Sequence, residues 1–179
     1  QPSCTTATGS FTITNYSASY TYTASPSGGV TFSGATVTAG VGNYSITAKL
    51  GLCSSIASAT VSVVSPFKTW NGNVSTDWNN GANWTPAGIP TATQSVTIPS
   101  GRTNYPVISS AALSCSLTIQ NGANVTVTTN NSITVTNDVT IFTGSTFTLE
   151  DSASLIQINN VANSVNGTFS MTRITQPMY

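Results

Sequence analysis

The residues best suited to chemistry in this sequence are three tryptophans that lie close together in one segment. Trp70, Trp78 and Trp84 stand among asparagines and an aspartate in the stretch TWNGNVSTDWNNGANWTP. Exposed aromatic rings can stack on sugar rings, while neighbouring amides and carboxylates hydrogen-bond to sugar hydroxyls. One hypothesis is therefore a carbohydrate-binding site made of these rings with Asp77 and Asn79. The alternative is that the rings are buried and cover one end of the neighbouring domain.

Catalytic and metal-binding chemistry has few candidate residues. The sequence has no histidine, which excludes Ser-His-Asp and Cys-His arrangements. Its four carboxylates and three scattered cysteines provide no zinc spacing and no EF-hand. Glu150 and Asp151 are neighbours in a predicted strand and should point to opposite faces, and Asp138 lies apart from both. We expect no enzyme, metal or cofactor; a polysaccharide-active enzyme would need these three carboxylates to converge in a groove.

Three cysteines allow at most one disulfide within the chain. Cys4 and Cys53 lie near the first and next-to-last strands predicted for residues 1–65, so we expect a bridge between them. It would close a loop of about 50 residues and stabilise the fold by roughly 3–4 kcal/mol. The alternative is two buried thiols. Cys115 alternates with a leucine on either side, which predicts an inward-facing, unreactive thiol.

Composition narrows the class of protein. Only 4% of the 179 residues are charged and the net charge is zero, against roughly 25% charged residues in an ordinary globular domain. With so few cations, nucleic acid is not an expected partner. No apolar run of about 20 residues occurs, so we expect no membrane insertion. Polarity comes instead from Ser, Thr and Asn, which is typical of secreted bacterial surface proteins.

Two different periods divide the chain near Pro66. Up to that residue, six short runs alternate apolar with small polar residues, and Gly, Pro, Asn or Ser separate them. This pattern predicts strands that are buried on one face. We therefore predict an all-β chain that begins with an immunoglobulin-like β-sandwich at residues 1–65. Residues 66–92 are assigned to a Trp-rich linker or cap.

A longer repeat governs the rest of the chain. Apolar pairs recur at steps of 8, 8 and 6 residues, so Leu117 has an apolar counterpart 22 residues later, Val139. Asn137 and Asn159 share this spacing, which predicts a short asparagine ladder. Three strands per turn indicate a parallel β-helix of the right-handed type over residues 93–179. A second β-sandwich is the alternative, but it does not explain the 22-residue register. Because an uncapped solenoid exposes apolar edges, we expect this one to be truncated and its chain to continue into further domains.

The first segment, CTTATGSFTIT to GNYSITAKLGLCSSIASATVSV, resembles the repeats of the gliding-motility adhesin SprB and related giant surface proteins of the Bacteroidota. The shared features are Cys-Thr followed by Thr-Gly, the GNYSIT strand and Gly-x-Cys-Ser before the last strand. The middle stretch, SPSGGVTFSGATVTAG, departs from the pattern of that family. Residues 67–179 are similar to a region of large secreted proteins of the same bacteria.

The resemblance implies a secreted, extracellular or outer-membrane-associated protein that uses type 9 secretion. It implies surface polysaccharide or other cell-surface proteins as partners, and a role in gliding or surface adhesion. Asp151-Ser152-Ala153 fits the pattern on which these bacteria attach O-glycans, so the resemblance also implies a glycoprotein modified at Ser152. The function that we expect is a non-catalytic structural or adhesive segment, a stalk or presenter; a carbohydrate-binding module built on the tryptophans is the alternative.

Overall fold

The chain forms two compact units, residues 1–66 and residues 67–179. The computed structural model describes Cys4, Thr6 and residues 8–174. Strands dominate both units, and a 3-10 helix at Gly81–Asn83 is the one helical element of the described part. None of the described helices is long and apolar enough to cross a membrane. The predicted all-β class is therefore confirmed.

The first unit consists of seven short antiparallel strands. They are β1 Gly9–Thr12, β2 Thr21–Ser25, β3 Thr31–Ser33, β4 Thr36–Ala39, β5 Gly42–Leu50, β6 Cys53–Ser54 and β7 Val61–Val63. One sheet has the order β1-β4-β3, and a second has the order β2-β5-β6, with β7 paired to the start of β5. β4 alternates outward and buried residues, as expected of a half-buried antiparallel strand, whereas β3 and β6 are exposed along their whole length.

A small core holds the first unit together. Ala39, Tyr44 and Val63 are buried, and Phe11 and Val30 pack against them. The hydroxyl of Tyr44 donates a 3.1 Å hydrogen bond to a backbone carbonyl, so its polar end is satisfied. These side chains come from both sheets, which therefore share one core.

The predicted disulfide between Cys4 and Cys53 is wrong. Cys53 is a free, exposed thiol on β6, whereas Cys4 is disulfide-bonded. Cys53 pairs with Leu50 across a two-residue turn that contains Gly51 at a φ of +57°. This tight turn lies at the surface and keeps the thiol in solvent. Three cysteines allow three possible pairs, and sequence spacing does not choose among them.

The second unit consists of thirteen short strands. They are β8 Phe67–Trp70, β9 Trp84–Thr85, β10 Ser95–Ile98, β11 Val107–Ile108, β12 Ala112–Ser114, β13 Leu117–Ile119, β14 Asn124–Val127, β15 Ser132–Val135, β16 Val139–Ile141, β17 Thr146–Leu149, β18 Ser154–Gln157, β19 Ser164–Val165 and β20 Thr168–Met171.

Three parallel sheets arrange these strands as a β-helix, which confirms the parallel β-helix predicted for this part of the chain. The sheet orders are β19-β16-β13-β10-β8, β11-β14-β17-β20 and β12-β15-β18. β9 adds to the edge of the first sheet by antiparallel pairing with β8. Each of the central coils contributes one strand to each sheet, so the coils stack through backbone hydrogen bonds. The segment assigned to a linker or cap thus supplies β8, a strand of the first sheet.

The 22-residue register is confirmed in the central coils. Leu117 stands opposite Val139, and the same offset places Ile133 opposite Leu155. Nearly all of the inward side chains of these coils are buried in one continuous core. The offset changes towards both ends: Thr69 pairs with Thr97 and Thr140 with Ser164. Connections outside the central coils therefore differ in length from those of the repeat.

A column of threonines runs along the outside of the first sheet. Thr69, Thr97, Thr118 and Thr140 are successive register partners on β8, β10, β13 and β16. Each lies between two buried residues and is itself partly exposed, since alternate residues of a strand face opposite ways. The backbones of neighbouring threonines are therefore one strand spacing apart, about 4.8 Å.

Candidate functional site

The three tryptophans form a buried cluster at the start of the β-helix. Trp70, Trp78 and Trp84 are 0%, 0% and 1% exposed. Trp84 packs edge-on against both other rings, with centroid distances of 4.9 Å to Trp70 and 4.8 Å to Trp78. All three belong to the same core as the inward residues of the coils. The hypothesis of a sugar-stacking site at these rings is wrong, because no ring face is open to a ligand.

A buried asparagine shapes the loop that carries these rings. Asn83 is 0% exposed. Its Oδ1 accepts 3.0 Å hydrogen bonds from the backbone N–H groups of Val74 and Ser75, and its Nδ2 donates to Ser75 Oγ and to the carbonyl of Asp77. With every polar atom of the amide satisfied, the residue can be buried without an unpaired group. Asn83 therefore fixes the loop that delivers Trp78 to the core.

The two polar residues assigned to sugar binding are also engaged in local structure. Asp77 Oδ1 accepts a 2.9 Å hydrogen bond from the backbone N–H of Asn79, and the Asn79 amide donates to the hydroxyl of Ser110. Asp77 also forms a parallel bridge with Val107. Both residues thus tie the capping loop to the first full coil.

Each of the four carboxylates of the chain is hydrogen-bonded at its own position. Asp77 accepts from the N–H of Asn79, Asp138 from the hydroxyl of Ser116, Glu150 from the N–H of Thr129 and Asp151 from the N–H of Ile174. Asp138 precedes β16, whereas Glu150 and Asp151 lie between β17 and β18. In the described part of the chain, no three metal-ligating side chains come together.

Ser152 lies in the turn between β17 and β18, where its side chain is exposed. Its φ is +59°, and Asn130, one coil earlier, has a φ of +62°. The Ser152 hydroxyl donates a 3.2 Å hydrogen bond to the carboxylate of Asp151. An exposed turn is accessible to a modifying enzyme, and O-glycosylation of Ser152 stays a prediction.

The predicted asparagine ladder is confirmed and includes a cysteine. Asn159 donates to Asn137, and Asn137 donates a 3.3 Å hydrogen bond to the sulfur of Cys115. Cys115 is fully buried, as predicted. It is disulfide-bonded, however, so the prediction of an unreactive thiol is wrong.

An open groove in the first unit was not predicted from the sequence. It has a volume of about 850 Å³ and is lined mainly by apolar side chains of β1, β2, β5 and the segment that precedes β7. Tyr20 and Tyr22 line it, and Tyr16 stacks on Tyr22 with a centroid distance of 5.3 Å. Three tyrosines within seven residues were the available sequence signal for this groove.

A smaller, polar pocket lies in the second unit, beside the tryptophan cluster. Its volume is about 270 Å³, and two loops, residues 71–73 and 101–104, line it. Arg102 is the charged residue of this pocket. No sequence pattern indicated this pocket, because its two loops lie about 30 residues apart along the chain. Arg102 was therefore only one of four cations.

One family model matches the chain, over residues 69–179, and its description is "Domain of unknown function (DUF8693)". No curated protein and no solved structure matches the chain. The matched residues cover well over half of the chain and coincide with the tryptophan cluster and the β-helix. The chain therefore belongs to the DUF8693 family.

Proposed function

We propose that this chain is a non-catalytic structural segment of a long bacterial cell-surface or secreted protein, in which the β-helix acts as a stalk or presenter. The observation that carries the proposal is the continuous parallel pairing of the three sheets from coil to coil. Such stacking makes a solenoid whose length grows by one strand spacing, about 4.8 Å, with every coil. A spacer needs regular length and stiffness, and it needs no reactive group.

The positions of the carboxylates support the non-catalytic part of the proposal. Glycosidases use two carboxyl groups that flank one bond. Here Asp138 lies at one turn and Glu150 and Asp151 at another, and each accepts hydrogen bonds from its own surroundings. This arrangement disfavours a polysaccharide-active enzyme.

An extracellular location is part of the same proposal. Disulfides persist mainly in oxidising compartments, and both Cys4 and Cys115 are disulfide-bonded. The low charge and the resemblance to Bacteroidota surface proteins agree with that location, with type 9 secretion and with a role in adhesion or gliding. We assign the first unit to the immunoglobulin-like class because two antiparallel sheets share its core. Surface polysaccharide and other cell-surface proteins remain the proposed partners.

Replacement of the solenoid tests the proposal in the native bacterium. If residues 67–179 act as a spacer, an unrelated β-solenoid with the same number of coils should preserve surface display and adhesion. A flexible Gly/Ser linker of equal residue number is the control, because it lacks stiffness. Loss of adhesion with both replacements would contradict a spacer role, and full adhesion with the flexible linker would contradict the need for stiffness.

A further inference from the structure

We propose that the polar pocket between residues 71–73 and 101–104 binds the carboxylate of an acidic sugar, with Arg102 as the counterion. This adds a binding site to a segment whose proposed role is structural, and it does not depend on that role. The argument rests on the charge of Arg102, the shape of its guanidinium and the rigidity of the two loops.

The charge of Arg102 has no carboxylate assigned to it within the described structure. The chain contains only four acidic residues. Their carboxylates accept hydrogen bonds from Asn79, Ser116, Thr129 and Ile174, each at a position other than the pocket. A cation that lines a pocket without a paired anion attracts an anionic ligand.

The guanidinium of Arg102 suits a carboxylate by its shape. It is a planar fork of donors that matches a carboxylate in a bidentate arrangement. Its Nε–H is buried away from solvent, so a carboxylate in the pocket would bind the terminal Nη groups. A carboxylate bound there would neutralise the charge of Arg102.

The two loops that form the pocket are fixed to each other. Trp70 Nε1 donates a 2.7 Å hydrogen bond to the carbonyl of Asn104, and Asn104 Nδ2 donates a 2.8 Å hydrogen bond to the carbonyl of Gly72. Gly72 has a φ of +60°, and a Cβ there would lie 2.3 Å from the Asn104 oxygen. Only glycine fits this approach. The pocket is therefore formed before a ligand arrives, which lowers the entropic cost of binding.

Uncharged polar groups beside Arg102 suit the hydroxyls of a sugar. Thr103 and Asn73 are among the residues that line the pocket. Both residues are exposed, so their side chains can reach a ligand. A volume of about 270 Å³ is slightly below the range of about 300–1,000 Å³ that is usual for pockets of drug-sized ligands. The pocket thus fits one monosaccharide unit that bears a carboxylate, such as a uronic acid at the end or within an acidic polysaccharide.

Titration of the full chain by NMR tests the proposal, with sodium glucuronate as the probe. We expect saturable shifts of the Arg102 Nε–H signal and of the amides of residues 71–73 and 101–104. Glucose tests the need for the carboxylate, and acetate tests the need for the sugar. Arg102→Gln should weaken glucuronate binding by about 10- to 100-fold, the usual effect of losing a charge-assisted hydrogen bond. Lys49→Gln, which removes an exposed cation from the first unit, should bind as the wild type does.

Three results would overturn the proposal: no saturable shift with glucuronate, equal binding by Arg102→Gln, or a response to acetate as strong as that to glucuronate. If Arg102→Gln fails to fold, the wild-type titrations still decide, because glucose and acetate isolate the two halves of the ligand. A failed titration leaves the solenoid-replacement experiment unaffected, so the two proposals fail separately.

Discussion

Asn159 donates a 2.8 Å hydrogen bond from its side-chain amide to Oδ1 of Asn137, which lies 22 residues earlier and one coil away. Asn137 donates in turn to the sulfur of Cys115, another 22 residues earlier. One amide therefore links three consecutive coils at the same corner. Because a side-chain amide can donate and accept at once, this ladder continues from coil to coil without any charge.

Asn137→Leu should destabilise the second unit more than Asn159→Leu. The first substitution removes both hydrogen bonds of the ladder and leaves the Asn159 amide without its acceptor, whereas the second removes only one bond. We expect losses in the free energy of unfolding of about 1–3 kcal/mol for Asn137→Leu and about 0.5–1.5 kcal/mol for Asn159→Leu. Urea unfolding followed by circular dichroism measures both, and equal losses would contradict the central role of Asn137.

Ser152→Gly should stabilise the protein. Ser152 has a φ of +59°, a conformation that costs a side-chain-bearing residue about 1–2 kcal/mol and glycine nothing. Glycine is more flexible when unfolded, so the expected net gain is below about 1 kcal/mol. Ser154→Gly, in the extended strand that follows, is the matched control and should destabilise. Thermal unfolding of the wild type and both variants, each without a glycan at residue 152, gives the two changes in stability. A lower melting temperature for Ser152→Gly than for the wild type would contradict the expectation.

Trp78→Phe should lower the free energy of unfolding less than Trp84→Phe does, although both rings are fully buried. The Nε1–H of Trp84 donates a 2.8 Å hydrogen bond to the carbonyl of Trp78, whereas the Nε1–H of Trp78 is buried without a partner. In Trp78→Phe, the removal of an unsatisfied buried donor offsets part of the stability that is lost when the ring becomes smaller. We expect a difference in the free energy of unfolding of about 1–3 kcal/mol, measured by guanidinium denaturation. A larger loss for Trp78→Phe would contradict this assignment.

Because of Lys68, the free energy of unfolding of the second unit should change with pH in the alkaline range. Its ammonium donates to the carbonyls of Pro86 and Ala87, and burial lowers its pKa below 10.5. Between the lowered pKa and 10.5 the unfolded chain binds more protons than the folded one, so stability rises with pH in that window. At pH values below the lowered pKa, Lys68 is charged in both states, and the cost of burying its charge is fully present.

Lys68→Met is the reference for that measurement, because it lacks the titrating group. Tyrosine ionisation near pH 10 affects both proteins. The difference between their free energies of unfolding, followed from pH 7 upwards, therefore isolates Lys68. We expect the wild type to gain stability relative to Lys68→Met as the pH approaches 10.5 from below, and a constant difference would contradict the lowered pKa.

The β-helix could be predicted from the sequence because its coils repeat a local rule. Side chains at equivalent positions of successive coils stack on one another. Leu117 and Val139 therefore lie one coil apart, and both are apolar because both face the core. The same rule placed Asn137 and Asn159 together. At the ends, where loops and not coils determine the spacing, the offset between Thr69 and Thr97 could not be read from the repeat.

The candidate sites were harder to predict, because burial and distant contacts decide them. Tryptophans among asparagines look like a sugar-binding surface, but Asn83 supplies internal hydrogen bonds that allow the loop to fold inwards. Arg102 gains its significance only when the loop of Gly72 reaches it from about 30 residues away. The free thiol of Cys53 likewise depends on the fold, since spacing alone does not determine cysteine pairing.

The threonine column on the first sheet gives the β-helix a surface with translational symmetry. Thr97, Thr118 and Thr140 place the same type of side chain at each step of about 4.8 Å along the axis. The Thr140 hydroxyl donates a 3.4 Å hydrogen bond to Asp138, which distinguishes this position from its neighbours. A carboxylate beside the column therefore interrupts the translational symmetry and marks one coil among otherwise similar ones.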